Sequence, residues 1–250
     1  MRRKLIIAAV WLALWQLLAM AVNNMILLAG PADTLQALFR MAREPEYWCS
    51  IGNTMLRILG GFAAGSVLGI LSAALSYRFR LIREFLAPAV TIMKAVPVAS
   101  FVILVLIWAG NRMLSLMISG FVVFPILYLN TLEGLDSTDG KLLELARTFR
   151  MTTGARIRYL YLPQLKPFLK SALRLSAGMS FKSGIAAEVI GQPLVSIGNG
   201  LYRAKVWLET ADVFAWTVTA ILLSWIIEQI ILKVCAPEPE KGAVHGTKQE

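Results

Sequence analysis

Long apolar stretches alternate along this chain with short polar ones. Leu5–Val22 is eighteen residues and predominantly apolar, near the minimum for a helix crossing a hydrocarbon core of about 30 Å. Further apolar segments follow at 53–77, 86–109, 113–132, 168–190 and 213–234. The pattern predicts six spanning helices. The second is rich in small residues, and Gly61, Gly65 and Gly69 recur at four-residue spacing, which lets helix backbones approach closely in lipid. The third carries Lys94, Pro97 and Ser100 in its first half, and Pro97 predicts a bend there. The fourth contains Pro125. The fifth is a poor span by hydropathy, because it holds Lys170, Arg174, Lys182 and Glu188. Charges at such depth face a bundle interior or a wet path.

Between the spans, 23–52 reads as an external loop with a short helix at 34–43, and 201–211 as a short interfacial helix. Residues 53–235 form the core unit, and the tail 236–250 is polar and reads as disordered. A rival reading makes Ala19–Ala21 a signal-peptide cleavage site. The apolar run is long for a signal segment and further spans follow, so a retained first helix (1–22) is the expectation.

Composition agrees. The chain has 250 residues, of which 57% are hydrophobic and 16% charged, against about 25% charged in soluble domains. Its mean hydropathy is +0.65. The net charge of +10 would suit nucleic acid in a soluble protein; here it reads as basic loops on one side of a membrane. With the N-terminus inside, sixteen Lys and Arg fall in inner segments, five in outer ones, and four within or at the edges of spans. That excess places both termini in the cytoplasm of a multi-pass plasma-membrane protein. The two cysteines, Cys49 and Cys235, fall on opposite sides, which argues against a disulfide. The single histidine, His245, lies in the tail, so no metal site is expected.

The inner segment 133–163 interrupts the apolar chain with polar and basic sequence. Lys141 to Phe149 reads as one short amphipathic helix, with Leu142, Leu143, Ala146 and Phe149 as its apolar side, capped by Asp136, Ser137 or Thr138. Thr152 to Leu162 reads as a second. Pro163 and Pro167 mark the return to the membrane. Two short helices of this kind form a knob that fits a cleft on a soluble partner. The bland alternative is a loop lying on acidic lipid.

Here the residues resemble the binding-protein-dependent importer permeases, whose penultimate cytoplasmic loop carries E-A-A-x(3)-G-x(9)-I-x-L-P. Glu144, Ala146 and Leu162-Pro163 match at the family spacing. Leu145 stands for an Ala, Leu160 for the Ile, and Arg150 for the Gly; Gly154 follows four residues later and is a candidate for a shifted bend. The segments Lys94–Ser100, Phe124–Asn130 and Ala186–Gly191 also resemble the family, in its nitrate/sulfonate/taurine type. The resemblance implies an all-α membrane protein with six transmembrane helices and the type I ABC importer permease fold. It implies a permease homodimer with two cytoplasmic ABC ATPase subunits and an external solute-binding protein. No G-x(4)-G-K-[ST] loop is present in the sequence; ATP-Mg would bind the partner ATPase, the chain itself binding no cofactor and holding no catalytic residue.

On this reading Glu144, Ala146, Phe149, Arg150, Gly154, Leu162 and Pro163 form the ATPase dock. Glu144 caps or salt-links the knob, and Ala146 and Phe149 enter the ATPase cleft. Lys94, Pro97, Ser100, Lys182 and Glu188 are candidates for the translocation pathway. Lys94 and Lys182 would favour an anion such as a sulfonate or nitrate, unless Lys94 snorkels to the surface or Lys182 pairs with Glu188. A non-transporting membrane scaffold or sensor that recruits a partner through 144–163 is the competing function.

Overall fold

A computed structural model describes residues 2–234; the expected tail 236–250, with Cys235 and His245, lies outside them. The described residues form eleven α-helices and one π turn. In chain order these are α1 (Arg2–Val22), α2 (Pro31–Met41), α3 (Pro45–Arg78), α4 (Arg80–Ala95), α5 (Val98–Ala109), α6 (Leu114–Asp136), α7 (Gly140–Thr148), α8 (Thr153–Arg156), the π turn Ile157–Tyr161, α9 (Leu162–Gly191), α10 (Ile197–Val206) and α11 (Thr210–Val234). The fold is all-α, as expected.

Three glycines of α3, Gly61, Gly65 and Gly69, bring its backbone into close contact with α6. A Cβ on Gly61 would lie 2.1 Å from the Leu116 carbonyl oxygen, one on Gly65 2.6 Å from that of Gly120, and one on Gly69 2.8 Å from that of Phe124. Both sets of numbers rise together, so α3 and α6 run parallel. The chain must therefore cross the bundle between them, and α4 and α5 do so. Val90 of α4 packs with Ala73, Tyr128 and Leu132, and Arg83 bonds Asp136 at 2.8 Å, all near the C-terminal ends of α3 and α6. Val102 and Val105 of α5 pack with Leu114 and Ile118 at the start of α6.

The third span is thus not the single bent helix expected. It is two helices that meet at 106°, broken at Val96-Pro97. Proline lacks the amide donor and its ring excludes the preceding carbonyl, and the residue before it is driven out of the helical region, with Val96 at ψ 126°.

The helix α9 runs antiparallel to α6. Gly134 meets Leu165 and Phe168, while Gly184 meets Ile58 and Ser119. Further along, α11 runs back beside α9, with Arg174 on Glu228 at 2.6 Å. The indole of Trp15 in α1 donates to the Ala29 carbonyl at 3.1 Å and packs tilted against Phe214, with ring centroids 5.4 Å apart. Six lengthwise elements make up the bundle: α1, α3, the α4–α5 pair, α6, α9 and α11. Length and apolarity alone qualify four helices, or five with the broken pair. The sixth, α9, is excluded by its own charges yet packs at the centre of the bundle.

Both described termini and the 137–161 segment lie at one end of the bundle, while α2 and α10 cover the other. The latter helices start earlier than the sequence pattern suggests. In α2 Pro31 occupies the first turn and Asp33 accepts the Gly30 amide at 3.1 Å. In α10 the Ser196 hydroxyl caps, accepting from the Asn199 amide at 3.1 Å. The helix α3 also begins before Asn53. Its first turns are polar, but Tyr47 is buried, on Thr219 Oγ1 at 2.7 Å and beside Trp216 at 5.0 Å.

Candidate functional site

The 137–161 segment is built from its caps inwards. Asp139, not the expected Asp136, Ser137 or Thr138, starts α7 by accepting the Lys141 amide at 2.9 Å. The helix ends in a bend with two backbone bonds, Arg150 N–H to Arg147 O at 2.9 Å and Met151 N–H to Ala146 O at 2.9 Å. This is a Schellman closure, and its turning residue takes the left-handed conformation that favours glycine. That residue is Arg150, at φ +46°. Gly154 does not serve a shifted bend, because it lies inside α8. Arg156 Nε donates to the Met151 carbonyl at 3.0 Å and ties the far side of the turn.

A separate second helix ending at Leu162 does not form. Thr153 to Gly191 is one helical run, through α8 and the π turn into α9. The Leu162 amide reaches back to the Ile157 carbonyl, widening the helix immediately before Pro163. Pro163 has no amide to donate and its ring needs room in the preceding turn, so the wide turn accommodates it without a break. The knob is therefore continuous with a helix at the centre of the bundle. Tyr161 of the π turn also packs edge-on against Tyr77 of α3, at 5.8 Å between ring centroids.

The apolar surface of α7 is divided. Ala146 is only 2% exposed, so it faces the protein's own interior and is not available to enter a partner's cleft. Leu142, Leu145 and Phe149 are 39%, 53% and 72% exposed, and their i, i+3, i+7 spacing puts them on one outward face. Leu145, the residue that departs from the motif alanine, enlarges this face. Glu144 is exposed in mid-helix; the capping role expected of it belongs to Asp139. Leu162 and Pro163 are exposed at the start of α9.

The pathway candidates do not form one cluster. Lys94 lies in the last turn of α4, Pro97 precedes α5 and Ser100 sits in its first turn, all three exposed around the break. Lys182 is exposed in a groove between α9 and α11 that includes Thr217, Ser224 and Glu228. Glu188 is fully buried and is not partnered by Lys182. Its carboxylate accepts from Thr54 Oγ1 at 2.8 Å, Ser115 Oγ at 3.1 Å and the Gly198 amide at 3.3 Å. Its nearest cation is Arg57, with Nη1 at 3.7 Å. This one carboxylate joins α3, α6, α9 and α10. Gly198 is required there, since a Cβ would lie 2.3 Å from that of Glu188.

Residues 65–231 match the family described as binding-protein-dependent transport system inner membrane component. The chain belongs to this family of ABC importer permeases. It is similar to SsuC of Bacillus subtilis (strain 168), named for aliphatic sulfonates transport, with 26% identity over 216 residues, 84% of this chain and 77% of the relative. SsuC of Escherichia coli (strain K12), named likewise, is 27% identical over 203 residues, 79% of this chain and 76% of its own. RibX of Chloroflexus aurantiacus, named as a riboflavin transport system permease, is 20% identical over 214 residues, 83% and 80% of the two chains.

The sequence pattern missed three parts of the permease's site. Arg57 enters the charge count only as a residue within or at the edge of a span, and no expectation attaches to Thr54 or Ser115. The signal for the first two was their three-residue spacing on α3, which puts hydroxyl and guanidinium on neighbouring positions of one helix. Nothing local pointed to Glu228, the partner of Arg174.

Proposed function

We propose that this permease is the membrane subunit of an ATP-driven importer that passes a small anion, first among candidates an alkanesulfonate or nitrate, from an external binding protein into the cytoplasm. Two copies would pair, each docking one cytoplasmic ATPase subunit through its knob. Both termini and the knob would face the cytoplasm of a plasma-membrane protein, as the excess of Lys and Arg at that end favours. ATP-Mg would be held by the ATPase.

The observation that carries this reading is the outward Leu142–Leu145–Phe149 face on a helix closed by a defined bend and continuous with α9. An exposed apolar face on a polar segment needs a partner. Force applied to it would pass along α9 into the bundle. Closure of the ATPases on ATP would draw the two knobs together and rock the bundles between outward-open and inward-open states. The anion preference rests on Lys182 and on the names of the two SsuC relatives; the riboflavin name of RibX is why the test includes an uncharged solute. Uptake of labelled ethanesulfonate and of an uncharged sugar by proteoliposomes holding permease, ATPase and binding protein tests it. ATP-dependent ethanesulfonate uptake is expected. A complex that binds ATPase but moves no solute would favour a recruiting scaffold instead.

A further inference from the structure

We infer that a cleft between the start of α3, α10 and the start of α11 seats a lysine or arginine side chain of the external solute-binding protein; the inference rests on the transport reading above, which turns this end of the bundle outward. The cleft holds a cavity of about 230 Å³, room for a single long side chain. Four carboxylates line it, those of Glu44, Glu46, Glu209 and Asp212, against one cation, Arg203. Glu46 is paired with Arg203 at 3.0 Å, and Asp212 with Arg40. Glu44 and Glu209 have no ion-pair partner among the described residues. Glu44 precedes α3 without capping it through its side chain, and the carboxylate of Glu209 lies close enough to that of Asp212 to repel it. The cleft is thus a local excess of negative charge on a chain of net charge +10.

Two further features point to a cationic occupant. The first is aromatic. Tyr47, Trp207 and Trp216 line the same cleft, and ring faces attract ammonium and guanidinium groups. Tyr47 and Trp216 are fixed in place, being buried with ring centroids 5.0 Å apart. A Cβ on Gly200 would lie 2.4 Å from Trp216, so α10 rests directly on that ring. The second is Ser50. It is 4% exposed, lines the cleft and makes no side-chain hydrogen bond among the described residues. A buried hydroxyl is ordinarily satisfied, and this one is left to accept from an entering N–H donor.

The mouth of the cleft suits a protein partner. Trp207 is 74% exposed there, and tryptophan and arginine are the residues that dominate interface centres. A closed turn presents it. The Trp207 amide donates to the Arg203 carbonyl and the Glu209 amide to the Ala204 carbonyl, both at 2.9 Å, with Leu208 between them at φ +59°. Beneath the mouth Met41, Tyr47 and Ala204 are buried, so the cleft is a recess in the surface and not a stage of the path through the bundle. No group of three or more metal-ligating side chains occurs among the described residues, which favours an organic cation over a metal ion. A cation seated in the recess is screened by salt less than one in an exposed pair.

Wild-type permease and Glu44→Gln/Glu209→Gln would each be held with the ATPase in nanodiscs of phosphatidylglycerol, with and without phosphatidylethanolamine. ATP hydrolysis would be measured against rising concentrations of the binding protein used in the uptake assay, with the ATPase retained per permease as the check on assembly. The double variant keeps the shape of the cleft and removes its two unpaired charges. It should raise the half-saturating concentration of binding protein about fivefold or more in both lipids, and flatten the dependence of that concentration on salt. An equal half-saturating concentration for wild type and variant overturns the inference and leaves the transport reading intact. A difference seen only with phosphatidylethanolamine assigns the cleft to lipid ammonium groups and overturns the inference too. A wild-type complex whose ATPase does not respond to the binding protein overturns the transport reading, and this inference with it.

Discussion

Replacing Arg150 by glycine isolates the bend on which the knob depends. Arg150 sits at φ +46°, where a side chain brings Cβ too near the following carbonyl oxygen. That costs roughly 1–2 kcal/mol for a non-glycine residue. Glycine removes the clash but gains freedom when the segment opens, returning roughly 0.5–1 kcal/mol. The net gain is about 1 kcal/mol, or about fivefold in the local opening equilibrium. Amide hydrogen exchange across 145–156, in lipid nanodiscs, reads that equilibrium directly. Arg150→Gly should slow exchange of the Met151 amide about fivefold. Arg150→Ala retains Cβ and should leave it unchanged. Equal slowing by alanine and glycine would assign the effect to the arginine side chain and refute the backbone argument. No slowing by glycine would place the bend elsewhere.

Other variants test the packing and the path. Gly61→Ala puts a methyl 2.1 Å from the Leu116 carbonyl oxygen, so α3 and α6 must separate; a loss of roughly 1–3 kcal/mol is expected, seen as a lower Tm in detergent. Gly198→Ala drives a methyl into Glu188 and should cost a similar amount, whereas Gly154→Ala, with nothing within 4 Å of its Cβ, should not lower Tm. Lys182→Met should reduce ethanesulfonate uptake severalfold with uncharged solutes unaffected; equal uptake of the anion would remove Lys182 from the path.

Much of the fold was legible because lipid imposes long apolar runs, and α1, α3, α6 and α11 announce themselves that way. In α9 the charges at Lys182 and Glu188 hid the span from hydropathy while pointing to its interior place. The break at Pro97 was readable as a bend, but not its 106° angle, which depends on α4 and α5 packing at opposite ends of the α3–α6 pair. The knob was found through Glu144, Ala146 and Leu162-Pro163, yet which apolar residues face outward was not. That depends on how α7 is rotated against the bundle, and the rotation buries Ala146 while exposing Leu145. The hub of Glu188 was out of reach for the same reason: Thr54 and Glu188 are 134 positions apart, and only the close approach of α3, α6 and α9 brings them together.

Since Ala146 is buried, substituting it would damage the knob itself, and the docking claim is better tested at Phe149. Burying a phenylalanine side chain is worth about 1.5–3 kcal/mol, and Phe149 has 72% of its surface to bury. Contact with the ATPase should therefore draw roughly 1–2 kcal/mol from it. The deciding measurement is the affinity of the purified ATPase subunit for nanodisc-held permease, wild type against Phe149→Ala. The account predicts binding weakened about 5- to 30-fold, with exchange of the α9 amides unchanged. An affinity equal to wild type would contradict it.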